Sequence, residues 1–380
     1  MPALANILPA DEFAAAETGP TASAQLEAPQ VQLLIAGHSG QIGRALCRQL
    51  RARESGPPTH AGQLIVAGRL NRREFVWSSS AHRGEETFAR TADDWPQILR
   101  RFLASTPAPR VFVDCTASGE LVEHYAELLQ HGIGIVTPNK LAFSGPQQEY
   151  QSLQNLARQR RVALGYETTV GAALPVLAAV ADLRERGERV RRIEALLSGT
   201  LSFILHRVNN GERFSVAVRE ARARGYTEPY PGADLQGTDS ARKLLILLRE
   251  AGWSWEPEQV QAASLVPEEL AIETDAERFL AGLAAHDAAW TERAEAAHQR
   301  SLRLVYLARF DGRSASVGVT HVAATDPFAL LAAGENLVRI WTDRYQPVPL
   351  SIAGPGAGAE LTAAGVLTDI LKAARELLPE

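Results

Sequence analysis

The segment Val31-Gln32-Leu33-Leu34-Ile35-Ala36 is a short apolar run that breaks at once into Gly37-His38-Ser39-Gly40-Gln41-Ile42-Gly43. Ala45, Leu46 and Leu50 then recur at helical spacing up to Arg51, so the pattern predicts strand, glycine turn and helix in that order. Further apolar runs predict strands over 63–67, 111–115 and 133–137, with helices over 121–131 and 147–160. Past residue 175 the pattern changes. A helix over 175–185 leads to a strand over 192–197, and Ser198 caps a helix running to 208. A strongly apolar stripe, Leu244-Leu245-Ile246-Leu247-Leu248, marks a helix over 238–252. Strands follow over 301–310, 316–321 and near 338–342, and a last helix reaches about 378. Strands grouped with helices, rather than strictly alternating, suggest an open mixed sheet with helices on one face.

Composition narrows the class. The 380 residues are 46% hydrophobic and 22% charged, which describes an ordinary globular protein with room for two domains. A net charge of -5 gives no reason to expect a nucleic acid or an anionic membrane as partner. No apolar run approaches the roughly 20 residues that span a bilayer. The first thirty residues lack Lys and Arg, so neither a secretory signal nor a transit peptide fits, and a disordered tail over 1–30 is expected. Only Cys47 and Cys115 occur, which argues against a disulfide framework and for a reducing, cytoplasmic setting. Cys115 ends an apolar strand with no His beside it, so it reads as a buried structural cysteine rather than a nucleophile.

Three places carry candidate chemistry. The turn Gly37 to Gly43, between strand and helix, suits a dinucleotide pyrophosphate on helix-terminal amides, although a plain strand-to-helix turn has the same pattern. The second strand runs into Gly68-Arg69-Leu70-Asn71-Arg72-Arg73 with no acid at its end. Arginines there favour the 2′-phosphate of NADP over the free ribose diol of NAD, with a solvated basic turn as the alternative. The third is Gly225-Tyr226-Thr227-Glu228-Pro229 followed by Asp234, Asp239 and Lys243. Asp239 and Lys243, four apart, share one helix face. Alone they describe a surface ion pair, but Glu228 and Asp234 on the loop upstream argue for a built site, where a lysine near carboxylates can donate a proton.

The run GYTEPYPGADLQGTDSARKLLIL resembles the signature of the homoserine dehydrogenases, departing at Tyr230, Gly232 and Ala233. VDCTAS, VTPNK, YETTVGAALP, SGTLSFI and the glycine-rich GPGAG ahead of the last helix are similar to further segments of that family. The resemblance implies an α/β architecture. A Rossmann-type NADP-binding domain would cover 31–166, and an α+β substrate-binding and dimerisation domain with an open mixed sheet 167–345. A segment over 346–380 would return to the first domain. It implies a catalytic unit without kinase or regulatory domain, interconverting L-aspartate 4-semialdehyde and L-homoserine in threonine and methionine biosynthesis. Lys243 would be the proton donor and acceptor, and Lys140 would lie near nicotinamide and reacting oxygen. Glu228 and Asp239 would hold the amino acid substrate and Asp234 would lie beside the reacting centre, so that Asp234 and Asp239 serve both substrate binding and catalysis. Cofactor contacts would come from Gly37, Ser39, Gly40, Gln41, Ile42, Gly43, Arg69, Thr116, Ser118, Lys140 and Gly358, with NADP(H) preferred and NAD(H) accepted. A sodium or potassium ion would sit on Glu167 and on the carbonyls of Val170, Ala172 and Leu174, a stretch that on sequence alone reads more simply as a domain hinge. The second sheet's open face would make a homodimer. The alternatives are another amino-acid-pathway NAD(P) dehydrogenase and a non-catalytic NADP-binding partner protein.

Overall fold

The computed structural model describes residues 29–54, 62–79, 84–90, 94–105, 109–228 and 230–378. The tail expected over 1–30 therefore falls almost entirely outside the described residues.

The first half is built from β1 (Gln30–Ala36), α1 (Gln41–Glu54), β2 (Gln63–Leu70), β3 (Glu74–Ser79), β4 (Gly84–Ala89), α2 (Trp95–Ala104) and β5 (Arg110–Asp114). It continues through α3 (Tyr125–Gln130), β6 (Gly134–Val136), α4 (Leu141–Ser144), α5 (Gln147–Arg160) and β7 (Leu164–Gly165). These strands form one sheet in the order β4-β3-β2-β1-β5-β6-β7. Its centre, β2-β1-β5-β6-β7, is parallel, and β3 and β4 extend it as an antiparallel hairpin. Parallel strands are covered on both faces, which is why Val31, Leu33, Leu34, Ile35 and Ala36 are all fully buried with no polar alternation.

The second half comprises α6 (Val176–Glu185), β8 (Arg192–Leu196), α7 (Gly199–Asn209), α8 (Phe214–Ala223), α9 (Gly232–Leu235), α10 (Thr238–Glu250), β9 (Val260–Ala262), α11 (Glu268–Ala271), α12 (Ala276–Gly282) and α13 (Asp287–Gln299). Then come β10 (Leu302–Phe310), β11 (Ala315–Ala323), α14 (Pro327–Leu330), β12 (Glu335–Trp341), β13 (Leu350–Pro355) and α15 (Ala359–Leu377). The second sheet has the order β13-β12-β8-β10-β11-β9 and is mixed, with β9 parallel to β11 and the rest antiparallel. Helix α10 carries Leu244 to Leu248 into the main core, every one buried. Each such side chain contributes roughly 1.5–3 kcal/mol, so this helix is firmly anchored.

The structure departs from the sequence expectations in four places. Strand β2 runs on through Leu70, so Arg69 lies in the strand and the turn behind it shrinks to Asn71, Arg72 and Arg73. The β3–β4 hairpin and α2 were not anticipated, because their short runs lack a clean period. Strand β13 belongs to the second sheet, where it pairs with β12, so the chain returns to the first half only after Pro355 rather than at residue 346. Helix α15 then packs on α1, and its Val366, Ile370, Ala373 and Ala374 share a core with β1. Finally, the second sheet's outer face is not a bare apolar surface. Leu196, Val305, Leu307 and Leu337 form a small patch with Phe328 of α14, beside an ion network of Arg192, Glu194 and Arg309.

Candidate active site

The turn after β1 is held at the carboxyl edge of the first sheet. Gly37 has φ 75 and donates its N–H to Leu70 O at 2.8 Å, tying the turn to the end of β2. A Cβ on Gly37 would sit 2.9 Å from the Cys115 carbonyl carbon, and one on Gly43 would meet Gly37 O at 2.2 Å. The glycines therefore let turn, β5 end and helix α1 approach closely, and α1 opens here with Gln41, Ile42 and Gly43 in its first turn. A cleft of about 680 Å³ lies against this turn, lined among others by Gly37, Ser39, Gly40, Arg72, Thr116 and Ser118. Such a cradle fits the pyrophosphate of a dinucleotide.

The opposite wall is set by buried polar contacts. Asp114, fully buried at the end of β5, accepts from Tyr125 Oη–H at 2.7 Å, from Thr116 N–H at 2.8 Å and from Asn139 Nδ2–H at 3.3 Å. Burial pushes its carboxyl up, opposed by those hydrogen bonds. Asn139 Nδ2 also donates to Ser118 O at 2.9 Å, while its Oδ1 accepts from Leu141 N–H at 3.1 Å. This network fastens the loop after β5 to the loop after β6 and so places Lys140 ahead of α4. Sequence reading did not single out Asp114 or Asn139, although a polar residue at the end of an apolar strand was the signal.

Lys140 faces the second half of the chain. Its Nζ lies 3.2 Å from Asp239 Oδ1, and the other oxygen of the same carboxylate is 2.8 Å from Lys243 Nζ. Lys243 also donates to Leu197 O at 2.8 Å, at the end of β8. Asp239 and Lys243 stand on the first turns of α10, which starts at Gly237 with φ 73. A Cβ at Gly237 would fall 1.8 Å from Tyr306 Oη. Burial lowers Lys140 from the ordinary lysine range, with Lys243 adding to the effect and Asp239 opposing it. Burial would raise Asp239, but the two ammonium groups outweigh it and hold the carboxylate well below its usual range. Asp234 accepts from Glu228 N–H at 2.9 Å, and burial with the neighbouring acids pushes it up to about 6. Glu228 itself is exposed beside it.

The remaining expected site residues lie elsewhere. The Arg69 guanidinium pairs with Glu85 and lines a shallower hollow beside α1 with Cys47 and Arg51, outside the main cleft, whereas Arg72 and Arg73 line the cleft itself. Gly358, with φ 117, immediately precedes α15, whose Glu360 pairs with Arg48 of α1. Glu167 accepts at Oε1 from Leu177 N–H (2.7 Å) and at Oε2 from Ala178 N–H (2.8 Å), capping α6, and its own N–H donates to Asp369 Oδ2 at 3.0 Å. Burial raises its carboxyl to about 7 against those two amides. Gly171 and Ala172 turn the chain at positive φ, and Leu174 O takes Val176 N–H at 2.8 Å. Cys115, expected to be buried, is half-buried and lines the cleft beside Gly37, and desolvation of its thiol holds it far above its usual value. Among the described residues no helix is long and apolar enough to cross a membrane.

A glycine turn at a parallel sheet's carboxyl edge, together with an ion cluster shared between that half and a second domain, defines a two-domain dinucleotide-binding protein of the dehydrogenase type. The homoserine dehydrogenase family model matches residues 175–371, and the model for the homoserine dehydrogenase NAD binding domain matches residues 39–167. The chain belongs to the homoserine dehydrogenase family. The homoserine dehydrogenase of Schizosaccharomyces pombe is 39% identical over 279 residues, 71% of this chain and 74% of that protein. The chloroplastic bifunctional aspartokinase/homoserine dehydrogenase 2 of Zea mays is 42% identical over 270 residues, 70% of this chain. The aligned stretch spans only 29% of that relative's length. Among solved structures, a Candida auris protein of unknown function superposes with TM-score 0.82 at 32% identity, covering 92% of this chain and 99% of that one. A hyperthermophilic archaeal homoserine dehydrogenase in complex with NADPH shares the fold at TM-score 0.68 and 23% identity, covering 90% of this chain and 97% of that one.

Proposed function

We infer that this chain interconverts L-aspartate 4-semialdehyde and L-homoserine with a nicotinamide dinucleotide, NADP(H) preferred and NAD(H) accepted, as a step of threonine and methionine synthesis. One observation carries the reading. A single carboxylate, Asp239, joins Lys140 from the nucleotide-binding half to Lys243 from the other half, so the two halves present their charges at one point. When bound, the nicotinamide supplies or takes the hydride. The chain's own part is to manage the charge left on oxygen. Lys243 gives the proton to the developing alkoxide in reduction and recovers it in oxidation, its ammonium aimed by Asp239 and by Leu197 O. Lys140, lowered by burial, stabilises the same oxygen electrostatically. Glu228 holds the substrate ammonium, with Asp234 fixing the Glu228 backbone through its N–H. Gly37, Ser39, Gly40, Gln41, Ile42 and Gly43, with Thr116, Ser118 and Gly358, cradle the dinucleotide.

Arg72 and Arg73 on the cleft support the NADP preference, as does the NADPH complex of the archaeal relative. A monovalent cation at Glu167, Val170, Ala172 and Leu174 belongs to the same reading. In its favour, the Val170 and Ala172 carbonyls accept no backbone amide among the described residues, and oxygen donors suit a hard ion. Pairing of two copies through the second sheet completes it, supported by the exposed Leu330 beside that sheet. The test is direct: L-homoserine with NADP should give NADPH absorbance, and absence of turnover with homoserine would overturn the reading.

A further inference from the structure

The glycine-turn cleft holds a carboxylate that the strand-end pattern conceals. Asn71 closes β2 onto β3 in a tight hairpin. Its N–H donates to Glu74 O at 3.0 Å, and its Oδ1 accepts from Arg73 N–H at 2.7 Å and Glu74 N–H at 3.0 Å. The same side chain donates from Nδ2 to Glu74 Oε1 at 3.1 Å, folding that carboxylate back over the turn. Asn71 Nδ2 also lies 3.2 Å from His38 Nε2, and Glu74 Oε1 lies 3.8 Å from the same nitrogen. His38 directly follows Gly37, so Glu74 stands on the rim of the glycine-turn cleft, which it lines together with Arg72 and Arg73. The acid that usually meets the ribose diol follows the second strand directly. Here it is delivered from the start of the third strand instead, and it remains 42% exposed.

We propose that Glu74 sets the cofactor preference of this protein, receiving the adenosine ribose hydroxyls of NAD and opposing the 2′-phosphate of NADP, which Arg72 and Arg73 attract. Neighbouring charges leave it free to act. Arg69 is paired with Glu85, and Arg90 with Glu120 while it donates to Asn71 O. Burial, then Arg69, holds His38 below its ordinary value, so at neutral pH the ring is uncharged and does not cancel the carboxylate. The site is thus a balance of Glu74 against Arg44, Arg72 and Arg73 on the same cleft, in which both cofactors are accepted and the acid limits the margin between them. The inference rests on the reading that this cleft takes NAD(P), but not on the homoserine reaction.

The experiment is binding alone. Dissociation constants for NADP and for NAD, without amino acid substrate, would be measured by calorimetry on wild type, Glu74→Gln and Glu74→Asp. Glu74→Gln keeps an acceptor for Asn71 and removes the charge, so the NADP-over-NAD affinity ratio should rise about tenfold. That is the scale of deleting one unit charge beside a phosphate at a partly hydrated surface. Glu74→Asp should stay within about twofold of wild type. A ratio unchanged in Glu74→Gln, or both affinities falling together as from a damaged turn, would overturn the proposal. The ratio shift observed in a protein whose wild type does not turn over homoserine would uphold this proposal and overturn only the functional reading.

Discussion

Replacing Asp239 with Asn tests the ion cluster most sharply, because one change removes the charge shared by both lysines and keeps side-chain shape. Asp239 lies 3.2 Å from Lys140 Nζ and 2.8 Å from Lys243 Nζ. Its side chain is 52% exposed, so each attraction is strongly screened, to about 1 kcal/mol rather than the several expected in a dry interior. Burial already lowers Lys140, and Asp239 is the leading influence holding its proton on. Without that carboxylate Lys140 should release its proton at lower pH. Semialdehyde reduction depends on positive charge beside the forming alkoxide, so its alkaline limb should move to lower pH. The rate at neutral pH should also fall, by about 10²-fold, because Lys243 loses the group that aims it. The assay is a pH profile of kcat/KM for reduction with wild type and Asp239→Asn, with cofactor affinity as control. An alkaline limb that stays in place would refute the assignment of Asp239 as the bridge controlling charge at this site.

Lys243→Ala should abolish turnover while leaving NADP(H) affinity nearly intact; affinity falling in step with rate would contradict its role. Arg72→Ala with Arg73→Ala should raise KM for NADP and barely change KM for NAD, and a wild type that prefers NAD by kcat/KM would sink the basic-turn argument. Glu167, raised to about 7, keeps a proton in the folded state that the unfolded chain releases near its ordinary value, so ionising it costs stability as pH rises from about 4.5 to 7. Glu167→Gln should therefore flatten the fall of Tm across that window relative to wild type, and parallel Tm curves would remove the argument. Light scattering at micromolar concentration should give twice the 41.1 kDa chain mass, and a monomer mass would exclude the paired sheet.

The glycine turn, the apolar strands of the first sheet and the Asp239–Lys243 spacing were legible because each depends on residues close in sequence. A turn needing positive φ at Gly37, a strand buried on both faces and an i,i+4 helix pair are local demands. The helices α5, α6 and α10 followed for the same reason, their apolar positions lying within their own windows. What the chain alone left open are contacts between distant segments. The Lys140–Asp239 pair joins residues almost a hundred positions apart across two domains, and only packing determines that both lysines meet one carboxylate. Asp114 and Asn139 look like ordinary polar residues until folding buries them against each other. Strand β13 was assigned to the wrong half because its pairing with β12 is a register between separate strands, not a property of its own residues. Glu74 was missed for a related reason. The second strand ends without an acid, yet the Asn71 turn reverses the chain and brings the next strand's first carboxylate to the same cleft. Sequence decides which conformations each segment favours, while the charges that share a site are decided by which segments the two sheets and their hairpins bring side by side.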